Sequence, residues 1–112
     1  MNALPIVLAL AALILIVLGW LGRAERLPRN GLAGVRTPST MRSDAAWRAA
    51  NKAAGIPIMA AGVVALAGAA ATWLMPPGED VTTVVYVVIG CLLVLVVVGG
   101  VMGVRAAGRV PG

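Results

Sequence analysis

Asn30, Gly34, Arg36, Thr37, Pro38, Thr40, Ser43, Trp47 and Asn51 stand at short, regular intervals in one polar stretch of the chain. Their chemistry is that of recognition. A guanidinium offers paired N–H donors to carboxylates and phosphates. A carboxamide both donates and accepts, threonine and serine hydroxyls cap helix ends, and an indole suits a membrane interface. Arg36, Arg48, Lys52 and Asn51 together would form a basic, hydrogen-bonding surface for an acidic partner or an anionic lipid headgroup. The same residues also suit a purely architectural task. Arg36 would then reach lipid phosphate or loop carbonyls, Thr37 and Ser43 would cap helices, and Trp47 would pin a helix to the interface.

Catalytic chemistry finds little support. The chain has no histidine and a single cysteine, Cys91, within an apolar run. A thiol there behaves as a small hydrophobe. No Cys, His or carboxylate cluster has metal-ligand spacing, and no base stands ready to activate a nucleophile. The expectation is a non-enzymatic protein without metal or cofactor.

The elements that carry the polar stretch are apolar. Three runs, Ala3 to Leu21, Ile56 to Met75 and Val81 to Val104, make up most of the 112 residues. At about 1.5 Å per residue the shortest spans roughly 28 Å, close to the ~30 Å of bilayer hydrocarbon. Hydrophobic residues are 61% of the chain and charged residues 12%, about half the usual ~25%. That leaves too little polar material to cover a soluble core. The fold class is therefore all-α integral membrane: a single module, residues 1–112, with spans at about 3–21, 56–75 and 81–104 and a polar motif loop at 22–55. Met1-Asn2 supplies no basic n-region and the first run is too long for a signal core, so this run is expected to remain as a span.

Charge sets the orientation. The loop from Gly22 to Gly55 holds Arg23, Arg26, Arg29, Arg36, Arg42, Arg48 and Lys52 against only Glu25 and Asp44. The connection Pro76 to Asp80 holds Glu79 and Asp80 and no base, whereas the tail carries Arg105 and Arg109. The positive-inside rule places the N-terminus outside and the motif loop and tail in the cytoplasm. It also accounts for the high pI without nucleic acid. Trp20 and Trp73 fall where interfacial tryptophans belong, and Pro76-Pro77 stops the second span.

Within the loop, Asn30-Gly31 is a turn signal and Pro38 holds Thr37 extended. Ser43 caps a helix with Asp44 in its first turn. Asp44, Arg48, Asn51 and Lys52 share one face, with Asp44 placed to pair with Arg48. Ala46, Trp47, Ala50 and Ala54 share the other. This predicts a short amphipathic interfacial helix, anchored by Trp47 and ended by Gly55, before Pro57 opens the next span.

Between the spans, Ala61, Ala65 and Ala69 form a small-residue stripe, and Gly99 and Gly103 form one G-x-x-x-G. These predict either a hairpin of the second and third spans or a homodimer through the Gly99/Gly103 face. No ionisable residue lies within the apolar body of a span, which argues against proton relays, and no paired repeat suggests a secondary transporter.

The run Asn30-x-x-x-Gly34-x-Arg36-Thr37-Pro38-x-Thr40-x-x-Ser43-x-x-x-Trp47-x-x-x-Asn51-x-x-x-Gly55 resembles the signature of the SdpI-type immunity-protein family of bacterial membrane proteins. In that family an N-x-x-x-G-x-R-T-P segment leads into a helix with a W-x-x-A-N pattern, followed by two spans. The resemblance implies a bacterial inner-membrane protein that protects against a membrane-active peptide toxin and relays a signal, as the founding member does by holding a cytoplasmic repressor at the membrane. That founding protein has additional spans ahead of the module. The expected partners are the lipid bilayer, anionic phospholipid headgroups at the cytoplasmic face, a peptide toxin or another membrane protein, and a second copy of the chain. The alternatives are an accessory subunit of a larger transporter and a small dimeric exporter.

Overall fold

A computed structural model describes residues 3–30, 34–76 and 78–111. Four helices follow in order: α1 (Leu4–Arg23), α2 (Pro38–Met41), α3 (Asp44–Leu74) and α4 (Thr82–Gly108). No strand occurs among the described residues. α1, α3 and α4 are each long and apolar enough to cross a membrane, with 20, 31 and 27 residues. The molecule is a slender bundle of 56 × 20 × 19 Å. At ~1.5 Å per residue, α3 is about 46 Å long, so one end extends beyond the ~30 Å hydrocarbon layer.

That extension corrects the expected loop helix. No separate amphipathic helix exists; its residues are the first turns of α3, which runs through Gly55 and Pro57 without ending. An internal proline loses one backbone hydrogen bond and would break an exposed helix at a cost of ~3 kcal/mol. Proline is tolerated in membrane helices where neighbours absorb the disturbance. Here Gly55 and Pro57 are both buried against adjacent helices. A Cβ on Gly55 would stand 2.7 Å from the Gly19 carbonyl oxygen and from Arg23 Cβ. Gly55 is a contact point for α1, not a terminator.

α3 is the central helix. α1 and α4 each pack along it and do not approach one another. On the α1 side, Gly19 and Gly22 meet α3 backbone directly: a Cβ at Gly22 would lie 2.6 Å from the Asn51 carbonyl oxygen. On the other side, Gly68 faces Val88, Gly99 faces Pro57 and Ile58, and Gly103 faces the Ala50 carbonyl. Ala61, Ala65 and Ala69 are buried. The Gly99/Gly103 face is thus packed on α3 within the chain, as the hairpin alternative expected.

The antiparallel arrangement collects the charges by end. Gly22 at the end of α1 and Gly103 near the end of α4 both meet the first turns of α3. All nine Lys and Arg residues of the chain therefore lie at or beyond this end, and Glu79 and Asp80 lie at the other. Trp20 and Trp73 stand exposed toward opposite ends. α3 stops at Leu74 with an extended Met75, followed by Pro76; Pro77 lies outside the described residues. Asp80 then accepts hydrogen bonds from the Thr82 hydroxyl and amide at the start of α4.

These Thr82 contacts, the hydroxyl first, hold the Asp80 carboxyl below its ordinary 3.8. A carboxylate with a lowered folded pKa contributes fully above its unfolded value, and its contribution is lost as pH falls through the folded one. The Thr82 amide resonance is therefore expected to titrate with a midpoint below 3.8, and Asp80→Asn to abolish that titration. A harsher test concerns packing. Gly55→Leu should lower stability by about 1–3 kcal/mol or more through overpacking. Gly90→Leu, where a Cβ meets nothing within 4 Å, should leave the melting temperature in detergent unchanged.

Candidate functional site

The loop between α1 and α3 folds back over the start of α3, and nearly every polar motif residue is consumed in holding it there. The chain turns out of α1 at Glu25, whose φ is 60°, with the Arg26 amide returning to the Leu21 carbonyl at 2.8 Å. This sends Leu27 inward beside α3. Trp47, on the first turns of α3, is 1% exposed, and its indole N–H donates to the Leu27 carbonyl at 2.7 Å. A buried indole needs such a partner. Trp47 is therefore a buried strut between loop and helix, which corrects its expected place at the lipid interface.

Asn51 lies one turn further along. Its Oδ1 accepts the Val35 amide at 2.9 Å, and its Nδ2 donates to the Trp47 carbonyl at 3.0 Å. It is 5% exposed, so it is no part of a solvated face. The Gly22 contact explains this: α1 comes close enough to close over that side of α3. Gly34 precedes Val35 with φ +103°, a conformation that glycine adopts without strain. A Cβ there would also lie 2.7 Å from Asn51 Oδ1 and 2.9 Å from the Trp47 ring.

From Val35 the network continues into α2. The Val35 carbonyl accepts the Thr40 hydroxyl at 2.7 Å, and Thr40 is fully buried. Thr37 and Thr40 form a reciprocal capping box: the Thr37 amide donates to Thr40 Oγ1 at 2.8 Å and the Thr40 amide to Thr37 Oγ1 at 3.2 Å. Pro38 occupies the first helical turn, where its missing N–H is harmless. Two residues after α2, Ser43 Oγ accepts the Ala46 amide and starts α3. Capping of this kind contributes about 1 kcal/mol.

Arginines tie the rim. The Arg42 guanidinium donates to the Ala107 carbonyl at 3.0 Å and to the Val110 carbonyl. It thereby satisfies the end of α4 and complements its negative pole. Ala107 packs on Ala46 and Ala50 directly beneath. Arg29 donates to the Met41 carbonyl at 3.1 Å and pairs with Asp44 at 3.5 Å. Asp44 therefore pairs with Arg29, not with Arg48 as the helical spacing suggested. Lys52 pairs with Glu25 at 3.8 Å, and Arg26 lies 5.8 Å over the Trp20 ring. Asn30 donates to the Pro28 carbonyl at 2.7 Å. Gly31, the second half of the expected turn, lies outside the described residues.

The expected basic surface is divided. Asn51 is buried and Lys52 is engaged by Glu25. Arg48 lines a polar cleft of about 270 Å³ with Arg26, Arg29 and Asp44, on the side where the chain leaves α1. Arg36 is exposed between Val35 and Thr37, residues that border α4. Sequence reasoning passed over Leu27, Val35 and Arg42. Leu27 and Val35 act through backbone groups, which carry no side-chain signal, and the target of Arg42 is more than sixty residues away. Among the described residues no group of His, Cys, Asp or Glu is placed to hold a metal ion.

Residues 26–103 match the SdpI/YfhL protein family. The chain belongs to this family. The match takes in the motif loop, α2, α3 and most of α4, and leaves α1 before it. Comparison with curated proteins and with solved structures returned no match. The protein is thus an SdpI-like multi-pass membrane protein of the immunity type, and the loop network lies in the first part of its family-matched segment.

Two substitutions probe the network. Trp47→Phe strands the Leu27 carbonyl, and Gly34→Ala brings both backbone strain and a clash with Asn51. Each is expected to cost about 1–3 kcal/mol. Trypsin should then cut the loop after Arg29 or Arg36 several times faster while helical content, read by circular dichroism, stays unchanged.

Proposed function

We propose that this SdpI-like protein is a non-enzymatic immunity protein of a bacterial inner membrane, shielding that membrane from a membrane-active peptide. The observation that carries the reading is the family match, which spans the loop network and both following helices. The protein would act by binding the peptide within the bilayer or by preventing its assembly there. Rigid helices joined by backbone-close contacts suit such a role, because they offer a fixed surface and no ionisable path through the membrane.

The orientation follows from charge. Nine bases at the loop end, against Glu79 and Asp80 at the other, favour a cytoplasmic loop and C-terminus. Any signal relayed to a cytoplasmic repressor would leave through this end, where Arg36 and Arg48 are exposed. A green fluorescent protein fused after the C-terminus is expected to fluoresce, and alkaline phosphatase inserted at Gly78 to be active. The reverse pattern would overturn the orientation.

Protection is tested by expressing the chain in a toxin-sensitive bacterium and following membrane potential and survival under challenge with producer supernatants. Wild type is expected to preserve both. Trp47→Ala should lose protection along with loop stability, and Arg36→Ala should lose it at unchanged stability and abundance if Arg36 contacts the partner. Normal insertion with no protection against any supernatant would favour the accessory-subunit reading, which requires a transporter to co-purify in stoichiometric amount.

A further inference from the structure

α1 and α4 lie on two sides of α3, and a crevice of about 270 Å³ is lined by residues of all three helices. Leu15 and Leu18 of α1 face Val96 and Gly100 of α4 across Ile58. Beside it lies a shallow groove of about 460 Å³, which shares Val35 and Gly100 with the crevice as lining residues. There Val97, Val101 and Val104 line one side, Thr37 the other, and Arg105 closes the end. The space beside Gly100 is open, since a Cβ at that position meets nothing within 4 Å.

The slot has the dimensions and polarity of one particular guest. From Val96 to Arg105 it follows α4 for roughly 14 Å, about half of the ~30 Å hydrocarbon thickness. Apart from Asn51 and Thr37 its walls are apolar until Arg105, and no carboxylate lines either stretch. Arg105 is exposed, with no salt bridge or hydrogen bond to any described residue. Glu25 and Asp44, the acids of this end, line the separate cleft beside Arg48. A chain-length apolar slot ending in an unneutralised guanidinium matches an acyl chain joined to a phosphate.

We infer that this slot is a binding site for one anionic phospholipid of the leaflet at the loop end, with an acyl chain between α1 and α4 and its phosphate on Arg105. The lipid bridges α1 to α4, whose backbones do not come together. It also lies against Val35, whose amide and carbonyl are both held by the loop network. The site does not depend on the immunity reading.

The test uses the full chain reconstituted in nanodiscs of phosphatidylcholine with phosphatidylglycerol, followed by release into detergent and native mass spectrometry of retained lipid. Wild type is expected to keep one phosphatidylglycerol in preference to phosphatidylcholine. Arg105→Gln should lower that preference about fivefold, the worth of one base near an anionic lipid. Arg109→Gln, at the same end but outside the slot, should leave it unchanged. Gly100→Leu fills that open space without altering charge and should abolish retention of either lipid. Equal retention of the two lipids by wild type would overturn the inference. So would an Arg109→Gln effect equal to that of Arg105→Gln, which would mean diffuse attraction. Undiminished retention by a folded Gly100→Leu protein would overturn the slot itself; if that variant fails to fold, the arginine pair still decides.

Discussion

The Gly22 backbone lies directly against the Asn51 carbonyl, and the rest of the loop end depends on this approach. In hydrocarbon two apolar helices gain nothing from the hydrophobic effect by meeting, so association rests on close van der Waals contact and hydrogen bonds. Gly19 and Gly22 on α1, with Gly55 and Gly62 on α3, let the two backbones come within contact distance. That fixes where the chain leaves α1 relative to the start of α3. Leu27 then falls within reach of Trp47, and the returning segment at Val35 falls within reach of Asn51. Separating the helices by the width of one side chain would put both hydrogen bonds out of range.

The spans were legible because an uninterrupted apolar run of bilayer length has few other uses. Thr37 and Ser43 were legible as caps because each acts on backbone only three residues away. Reading failed where a distant partner decides a local question. Gly55 and Pro57 are helix breakers by local preference, and only the presence of α1 on one side and α4 on the other turns them into packing residues. Trp47 has the composition of an interfacial anchor, and Asn51 sits on what a helical projection gives as the polar face. Both are buried because their partners are the backbone of Leu27 and Val35, which no pattern of side chains marks. The Asp44–Arg48 pair lost to Arg29 for a similar reason: α2 brings Arg29 beside the start of α3, where it also meets the Met41 carbonyl.

α4 closes the same end from the opposite side. Gly103 meets the Ala50 carbonyl and Val35, Ala107 seats on Ala46 and Ala50, and Arg42 reaches the final carbonyls of the helix. One short loop thus binds both outer helices to α3, although the backbones of those helices do not come together. This makes the loop an architectural element of the bundle, with Val35 as its pivot: its amide goes to α3, its carbonyl to α2, and its side chain to α4.

Among the described residues no buried side-chain nitrogen or oxygen lacks a hydrogen-bond partner. A satisfied buried network is rigid and expensive to open, because each group released from its partner must be desolvated alone. Trp47, Asn51 and Thr40 are therefore not available to a ligand without dismantling the loop. The groups exposed around the network are Arg36 on the α4 side, Arg48 in the cleft beside the exit from α1, and the apolar flanks of the bundle. The spacing that makes the motif conspicuous belongs mainly to the scaffold.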